Sequence, residues 1–124
     1  MPERPSIDPE ELWRAREAIV LLPHDPRWLA DAAAECARIV AACGPGVLRV
    51  EHIGSTAVPG LLAKPVLDLM PLVKRFEDGF DCVSQMRALG YWFAGDFGIP
   101  GRHLFIKGSP RTHHAHMLVD GSTE

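Results

Sequence analysis

The chain has 124 residues, of which 47% are apolar and 23% charged, a composition typical of one globular domain and not of a disordered or fibrous protein. Its net charge of −3 argues against broad nonspecific binding to nucleic acid, although a local basic patch is still compatible with it. No apolar run reaches the ~18 residues that a membrane-spanning helix needs. The three cysteines form no Cys-x-x-Cys pair, so we expect buried thiols in a cytoplasmic protein.

The beginning of the chain predicts a tail followed by a short helix. Residues 1–9 hold three prolines and show no apolar periodicity, and residues 10–17 are compatible with a short helix. Residues 18–22 form a short apolar run that favours an extended segment. We therefore expect an N-terminal tail and helix over 1–17 and one folded domain over 18–124.

A long amphipathic helix is predicted to follow Asp25-Pro26, which combines an N-cap residue with a proline suited to the first helical position. From Trp28 to Cys43 the apolar residues recur every three or four positions, which is the period of one helix face. Gly44 with its following proline is a typical helix end.

Two apolar runs after this helix predict two strands. In the first, over 47–53, alternation places Leu48 and His52 on the core face, with His52 read as a satisfied core histidine. The second, over 65–73, is apolar on both faces except for Asp68, as expected of a central strand.

The second half of the chain predicts one helix and a hairpin. Apolar spacing favours a helix over 75–89, and residues 91–93 begin an extended piece. Residues 102–107 and 113–120 alternate as strands, with a short turn between them. The whole pattern predicts an α+β fold, with a mixed sheet that is flanked by helices mainly on one face and ends in an antiparallel hairpin.

The turn between the first two strands and the acid on the second strand are the first candidates for a site. Gly54-Ser55 lets backbone N–H groups approach an anion, and the serine hydroxyl can donate to a phosphate. The alternative is an ordinary tight turn. Asp68 is either a metal ligand, the partner of a cation such as Lys64, or an acceptor for N–H groups of the loop.

The last strand and its neighbours supply histidines and cations. His114 and His116 share one strand face, a spacing that can bind a metal or serve acid–base chemistry, or can simply leave two half-exposed histidines. If the hairpin adjoins Asp68, cations nearby could bind phosphates. The candidates are Lys64, Arg102 and Lys107, together with Arg111 in the turn of the hairpin. Strand parity differs between Arg102 and Lys107, so not all of these cations can face one site.

Three motifs in this chain resemble one known family. They are residues 51–60 followed by Ala63-Lys64-Pro65 and Asp68, then residues 97–102, then residues 110–116. Together they closely resemble the signature of the GrpB family, over about residues 18–120. GrpB-like proteins are a bacterial family assigned to the nucleotidyltransferase superfamily, the fold of DNA polymerase β and the antibiotic adenylyltransferases. Some are fused behind a dephospho-CoA kinase.

This resemblance implies a magnesium-dependent enzyme that transfers nucleoside monophosphate from a nucleoside triphosphate to an unknown small acceptor. In that superfamily a Gly-Ser turn holds the phosphates, and an Asp-x-Asp pair on the next strand binds two metal ions. The phosphate role carries over to Gly54 and Ser55. Asp68 takes the position of the second carboxylate, but the position of the first is Val66.

Val66 leaves open whether the chain catalyses a reaction. In one alternative, His114, His116 or Glu51 completes the metal site of a working transferase. In the other, the chain binds a nucleotide, an anion or a protein partner without catalysis. Family members usually continue with further helices after the last strand, so we expect these helices to be absent here or supplied by a partner subunit, which a homo-oligomer could provide.

Overall fold

The computed structural model describes residues 21–121, which form a five-stranded mixed sheet with helices on one face. The strands are β1 (Val47–Ile53), β2 (Leu67–Val73), β3 (Tyr91–Phe93), β4 (His103–Lys107) and β5 (His113–Val119). The helices are α1 (Arg27–Cys43), α2 (Phe76–Asp81) and α3 (Val83–Ala88), and single 3₁₀ turns cover Gly44–Gly46 and Ser55–Ala57. Within residues 21–121, no helix has the length and apolar character that crossing a membrane requires.

The strands lie in the order β1-β2-β5-β4-β3. The central pair β2–β5 is parallel, and the other three pairs are antiparallel. The predicted α+β class, the mixed sheet and the terminal β4–β5 hairpin are therefore confirmed. The parallel pair matters for function because it brings the strand that carries Asp68 beside the strand that carries the histidines.

The main core lies between the sheet and the helices. Leu69 of β2, Phe105 of β4 and Ala115 of β5 are fully buried on the same sheet face, where Ala32 and Ile39 of α1 cover them. Burying an aliphatic or aromatic side chain of this kind stabilises the fold by about 1.5–3 kcal/mol. Since β2 and β5 alternate, Asp68, His114 and His116 must then lie on the opposite face.

The predicted long helix is confirmed as α1, which begins one residue later than expected. The Asp25 carboxylate accepts the backbone N–H of Arg27 at 2.9 Å, and so caps the first turn. Gly44, with φ of 71°, ends the helix in a backbone conformation that favours glycine.

The prediction of one helix over 75–89 is wrong, because the segment forms two short helices that separate at Cys82. The Cys82 N–H bonds to the Gly79 carbonyl at 3.1 Å, which tightens the end of α2. Beside this break, a Cβ atom at Gly79 would stand 2.1 Å from the ring of His103, so the β4 histidine occupies the space of a side chain on α2.

The expected face of Leu48 in β1 is also wrong. The pairing of β1 with β2 shifts register between Val47 and Arg49, and Leu48 is 47% exposed while Val47 is buried in the core. A β-bulge of this kind adds one residue to a strand and reverses the alternation around it. The predicted second strand, over 65–73, begins at Leu67.

The predicted N-terminal tail and helix over 1–17 lie outside the described residues. Of the predicted extended segment over 18–22, the structure shows that Leu22 pairs with Ala63 in an isolated bridge, with hydrogen bonds of 2.8 and 2.9 Å. This bridge ties the beginning of the described chain to the loop that precedes β2.

Candidate metal and anion site

Asp68 lies on the sheet face opposite the helices, at the point where three strands meet. It pairs with Ile53 at the end of β1 and with His114 of β5. The strand β1 ends there, and Gly54 follows directly. This placement brings together the Gly-Ser turn, the carboxylate and the last strand, which are separated in the sequence.

Two histidines of β5 converge on the Asp68 carboxylate. His116 Nε2 lies 3.1 Å from Asp68 Oδ1, and His114 Nδ1 lies 3.6 Å from the same oxygen. The side chains of Asp68, His114 and His116 are 30%, 24% and 22% exposed. A solute can therefore reach all three groups from the open face of the sheet.

The Asp68 carboxyl is held in its charged form. Burial would raise its pKa, but the imidazoles of His114 and His116, which lie 3.6 and 3.1 Å from its Oδ1, outweigh burial and lower the pKa below its ordinary value. In the part of the chain that the structure describes, neither nitrogen of His114 makes a hydrogen bond, and its Nε2 is buried without a partner. Its Nδ1 is the nitrogen that faces the Asp68 carboxylate.

Gly54 gives this carboxylate its space. A Cβ atom at Gly54 would stand 2.8 Å from Asp68 Oδ2, and the residue has φ of 78°, so both contact and backbone conformation favour glycine. Ser55, exposed at the start of the following 3₁₀ turn, lies directly after it. The buried Thr56 anchors this turn, since its hydroxyl lies 2.8 Å from His52 Nε2 and its carbonyl accepts from His24 at 3.2 Å.

Arg102 also belongs to this group. Its Nη1 lies 3.2 Å from His116 Nδ1, and its Nε and Nη2 donate to the carbonyls of Asp96 and Phe97 at 3.2–3.3 Å. Arg102 was predicted from the sequence as a phosphate-binding cation, but its contact with His116 was not. That contact depends on the β4–β5 register, in which Leu104 pairs with His116.

The structure does not bring Lys107 to this site. Its ammonium lies on the helix-covered face, 2.6 Å from Glu35 Oε2 and 3.2 Å from the Leu89 carbonyl. The fully buried Glu35 also accepts the Tyr91 hydroxyl at 2.7 Å. Lys107 therefore balances a buried charge of α1. Sequence reasoning missed Glu35, although its spacing from Ala32 places a charged residue in the apolar stripe of α1.

Two other expected contributors, Lys64 and Glu51, make no hydrogen bond or ion pair with Asp68 among the described residues. Lys64 is exposed in the loop before β2. Glu51 forms an ion pair with Arg49 at 3.0 Å, on the same face as Asp68. Val66, at the position of the expected first carboxylate, is half-buried and donates its backbone N–H to the Lys64 carbonyl.

The donor set decides which metal fits. One ligand atom from each of Asp68, His114 and His116 can be chosen so that all three lie within 4.8 Å of one another. Magnesium prefers oxygen ligands in octahedral geometry, whereas imidazole nitrogens suit zinc, copper, iron and nickel. Two imidazoles and one carboxylate thus fit a transition-metal ion better than the magnesium that the sequence led us to expect.

The chain is similar to members of one protein family. A sequence model described as GrpB protein matches residues 18–124. UPF0157 protein PA4798 of Pseudomonas aeruginosa is 38% identical over 123 residues, which are 94% of this chain and 51% of that protein. UPF0157 protein YqkA of Bacillus subtilis is 36% identical over 112 residues, 90% of this chain and 32% of that protein. The chain thus spans about half of the first relative and a third of the second.

Two further similarities extend this result. A dephospho-CoA kinase of Mycobacterium tuberculosis is 40% identical over 80 residues, which are 62% of this chain and 20% of that protein. The crystal structure of the conserved protein GrpB from Enterococcus faecalis matches with a TM-score of 0.79 and 33% identity, over 84% of this chain and 64% of that one. The same fold is therefore present in a solved structure.

Proposed function

Because the chain belongs to the GrpB family, whose motifs resemble those of nucleotidyltransferases, we propose that it binds a divalent metal ion and a nucleoside triphosphate on its open sheet face. We further propose that it transfers the nucleoside monophosphate to a small acceptor. The reaction would form a bond from an acceptor hydroxyl oxygen to the α-phosphorus, break the bond to pyrophosphate and release a proton. A cytoplasmic location, where nucleoside triphosphates are abundant, is part of this proposal.

The observation that carries the proposal is the convergence of Asp68, His114 and His116 on one accessible point. These three side chains would hold the ion. A divalent ion in this position supplies positive charge that neutralises phosphate oxygens. The donor set makes zinc the ion expected to bind most tightly. Manganese, which accepts carboxylate oxygens, is tested beside it, with magnesium as the comparison.

The surrounding residues supply phosphate contacts. Gly54 keeps the turn close to Asp68, and the Ser55 hydroxyl beside it is exposed and can donate to a phosphate oxygen. Arg102 places a guanidinium next to His116, and guanidinium groups match the geometry of phosphates. These groups orient the ligand. Lys107 is not part of the proposed site.

A second candidate is a binding module that keeps the fold and the ligand but carries out no transfer. The observation that favours it is Val66, since an apolar side chain occupies the position of the first carboxylate. With Asp68 as the single carboxylate of the described cluster, the site holds one ion and not the pair that stabilises both oxygens of an in-line displacement.

Thermal unfolding with MnCl₂, ATP or both tests the binding function. A ligand that binds only the folded state stabilises it by about 2.7 kcal/mol at one hundred times its Kd, which raises Tm by several degrees. We expect this rise for the parent chain and for Asp31→Asn, which removes an exposed carboxylate of α1, and a much smaller rise for Asp68→Asn.

Two outcomes would contradict the proposal. If manganese with ATP stabilises Asp68→Asn as strongly as the parent, Asp68 does not hold the ion. If ATP at millimolar concentration stabilises no form of the chain, the nucleotide function is wrong. Once binding is shown, pyrophosphate release in a screen of small hydroxyl acceptors separates the transferase from the binding module.

A further inference from the structure

We propose that Arg102 and the metal ion exclude each other at His116, so that ion binding releases the Arg102 guanidinium to bind an oxyanion. This inference rests on the metal site proposed above and adds a coupling between its two ligands. It makes the ion and the phosphate bind cooperatively, with Arg102 as the group that links them.

The first step is the hydrogen position on His116. A guanidinium group is a hydrogen-bond donor only, with no acceptor atom. Arg102 Nη1 lies 3.2 Å from His116 Nδ1, so this nitrogen accepts and carries no hydrogen. The hydrogen of the neutral ring is then on Nε2, where it is donated to Asp68 Oδ1 at 3.1 Å.

The second step is the conflict with a metal ion. The nitrogen of His116 that faces Asp68 is Nε2, and an ion there needs its lone pair. A neutral imidazole must then carry its hydrogen on Nδ1. This exchange moves one hydrogen between the ring nitrogens through water and leaves the ring charge unchanged. Arg102 Nη1 and His116 Nδ1 would then be two donors facing each other, so their hydrogen bond is lost.

The third step concerns the released guanidinium. Arg102 Nε and Nη2 donate to the Asp96 carbonyl at 3.3 and 3.2 Å, and Nη2 also reaches the Phe97 carbonyl at 3.3 Å. These bonds do not involve His116 and hold the side chain beside the site. Nη1 therefore loses its acceptor while the group stays half-buried next to the ion.

An oxyanion is the partner that fits this vacated donor. A charged guanidinium with an unused N–H group binds phosphate or sulfate oxygens strongly. The bound ion adds a second positive charge nearby. An oxyanion should consequently raise the affinity for the metal, and the metal should raise the affinity for the oxyanion by the same factor.

Nitrogen-15 NMR of the imidazole groups tests the tautomer exchange, with His116 assigned by its absence in His116→Gln. In the metal-free parent we expect an unprotonated Nδ1 and a hydrogen on Nε2. With one equivalent of Zn²⁺ we expect the hydrogen on Nδ1. An Nδ1 that carries hydrogen before zinc is added, or that stays unprotonated with zinc bound, overturns the inference.

Manganese titration followed by electron paramagnetic resonance tests the coupling, with sodium sulfate compared with sodium chloride at equal ionic strength. We expect sulfate to lower the Kd for Mn²⁺ several-fold in the parent and in Lys74→Met, which removes an exposed charge elsewhere. Arg102→Met should bind Mn²⁺ with no sulfate response. An equal sulfate effect in Arg102→Met and the parent, or none in the parent, overturns the coupling.

The failure of this inference is distinguishable from that of the metal site itself. If neither Mn²⁺ nor Zn²⁺ binds the parent, the proposed function and this inference both fall. Suppose instead that the ion binds and that Asp68→Asn abolishes its binding. If zinc then leaves the His116 tautomer unchanged, or if sulfate acts equally on Arg102→Met and the parent, the metal site stands and only the exchange is wrong.

Discussion

Gly54 approaches the Asp68 carboxylate so closely that a Cβ atom on the glycine would stand 2.8 Å from Oδ2 and 3.2 Å from the Asp68 Cβ. The residue also has φ of 78°, a backbone angle that residues with a side chain rarely adopt. The turn after β1 and the acid of β2 are thus fitted to each other.

The substitution Gly54→Ala should destabilise the fold by about 2–3 kcal/mol, because it adds a steric conflict to the strain of a positive φ. Gly60→Ala is the matched control: its φ is 92°, but nothing lies within 4 Å of an added Cβ. We expect the control to lose about 1 kcal/mol. Urea unfolding measures both, and equal losses would show that the contact with Asp68 is unimportant.

The substitution Gly79→Ala should destabilise the fold by about 2 kcal/mol, as measured by urea unfolding. Alanine in place of glycine usually stabilises a helix interior by about 0.5–1 kcal/mol, but here its methyl group would overlap the His103 ring. Gly46→Ala is the control, since the nearest atom to its added Cβ is 3.6 Å away. A stabilised Gly79→Ala protein would contradict the packing of His103 against α2.

The free energy of unfolding should fall in acid as Glu35 becomes protonated. Burial would raise the pKa of Glu35, but hydrogen bonds from Lys107, Tyr91 and Arg38 outweigh burial and lower the pKa to about 2 from an ordinary 4.5. A carboxyl whose pKa is lowered by folding stabilises the folded state at pH values above its pKa in the unfolded chain. That contribution is lost as the pH falls from about 4.5 towards 2.

Chemical unfolding of the parent and Glu35→Gln between pH 7 and pH 2 measures this contribution. The difference in unfolding free energy between the two proteins should shrink as the pH falls through this window. Glu77→Gln, at an exposed position of α2, should follow the parent. A parent-to-variant difference that is constant from pH 7 to pH 2 would rule out the assigned role of Glu35.

The metal site should discriminate among ions. At equal concentration, Zn²⁺ should raise Tm by several degrees and Mg²⁺ by less than about one degree, because two of the three donors are imidazoles. EDTA should reverse the rise. His114→Gln should lose most of the rise while keeping the carboxylate. Equal stabilisation by Mg²⁺ would show that the histidines are not ligands.

Much of the fold could be predicted from the sequence, because α1 and the strands of the hairpin have clear local periods. The break at Cys82 could not, since the apolar spacing over 75–89 runs across it without interruption. The bulge in β1 likewise depends on pairing with β2, which no pattern within β1 records.

The candidate site was predictable as a set of residues and not as an arrangement. Strand alternation puts His114 and His116 on one face, but their contact with Asp68 requires the parallel pairing of β2 with β5. The separation of Arg102 from Lys107 followed from strand parity. The contact of Arg102 with His116 did not, because it depends on the β4–β5 register and on the Asp96 and Phe97 carbonyls that hold the guanidinium.

The parallel pairing of β2 with β5 also has a consequence for how the molecule forms. Asp68 and His116 are 48 residues apart, and closing a loop of that length costs about 3 kcal/mol in chain entropy. The carboxylate and the imidazoles cannot meet until the last strand has been synthesised and has docked between β2 and β4. Retention of an ion would therefore report, during biosynthesis or refolding, the moment at which β5 docks on β2.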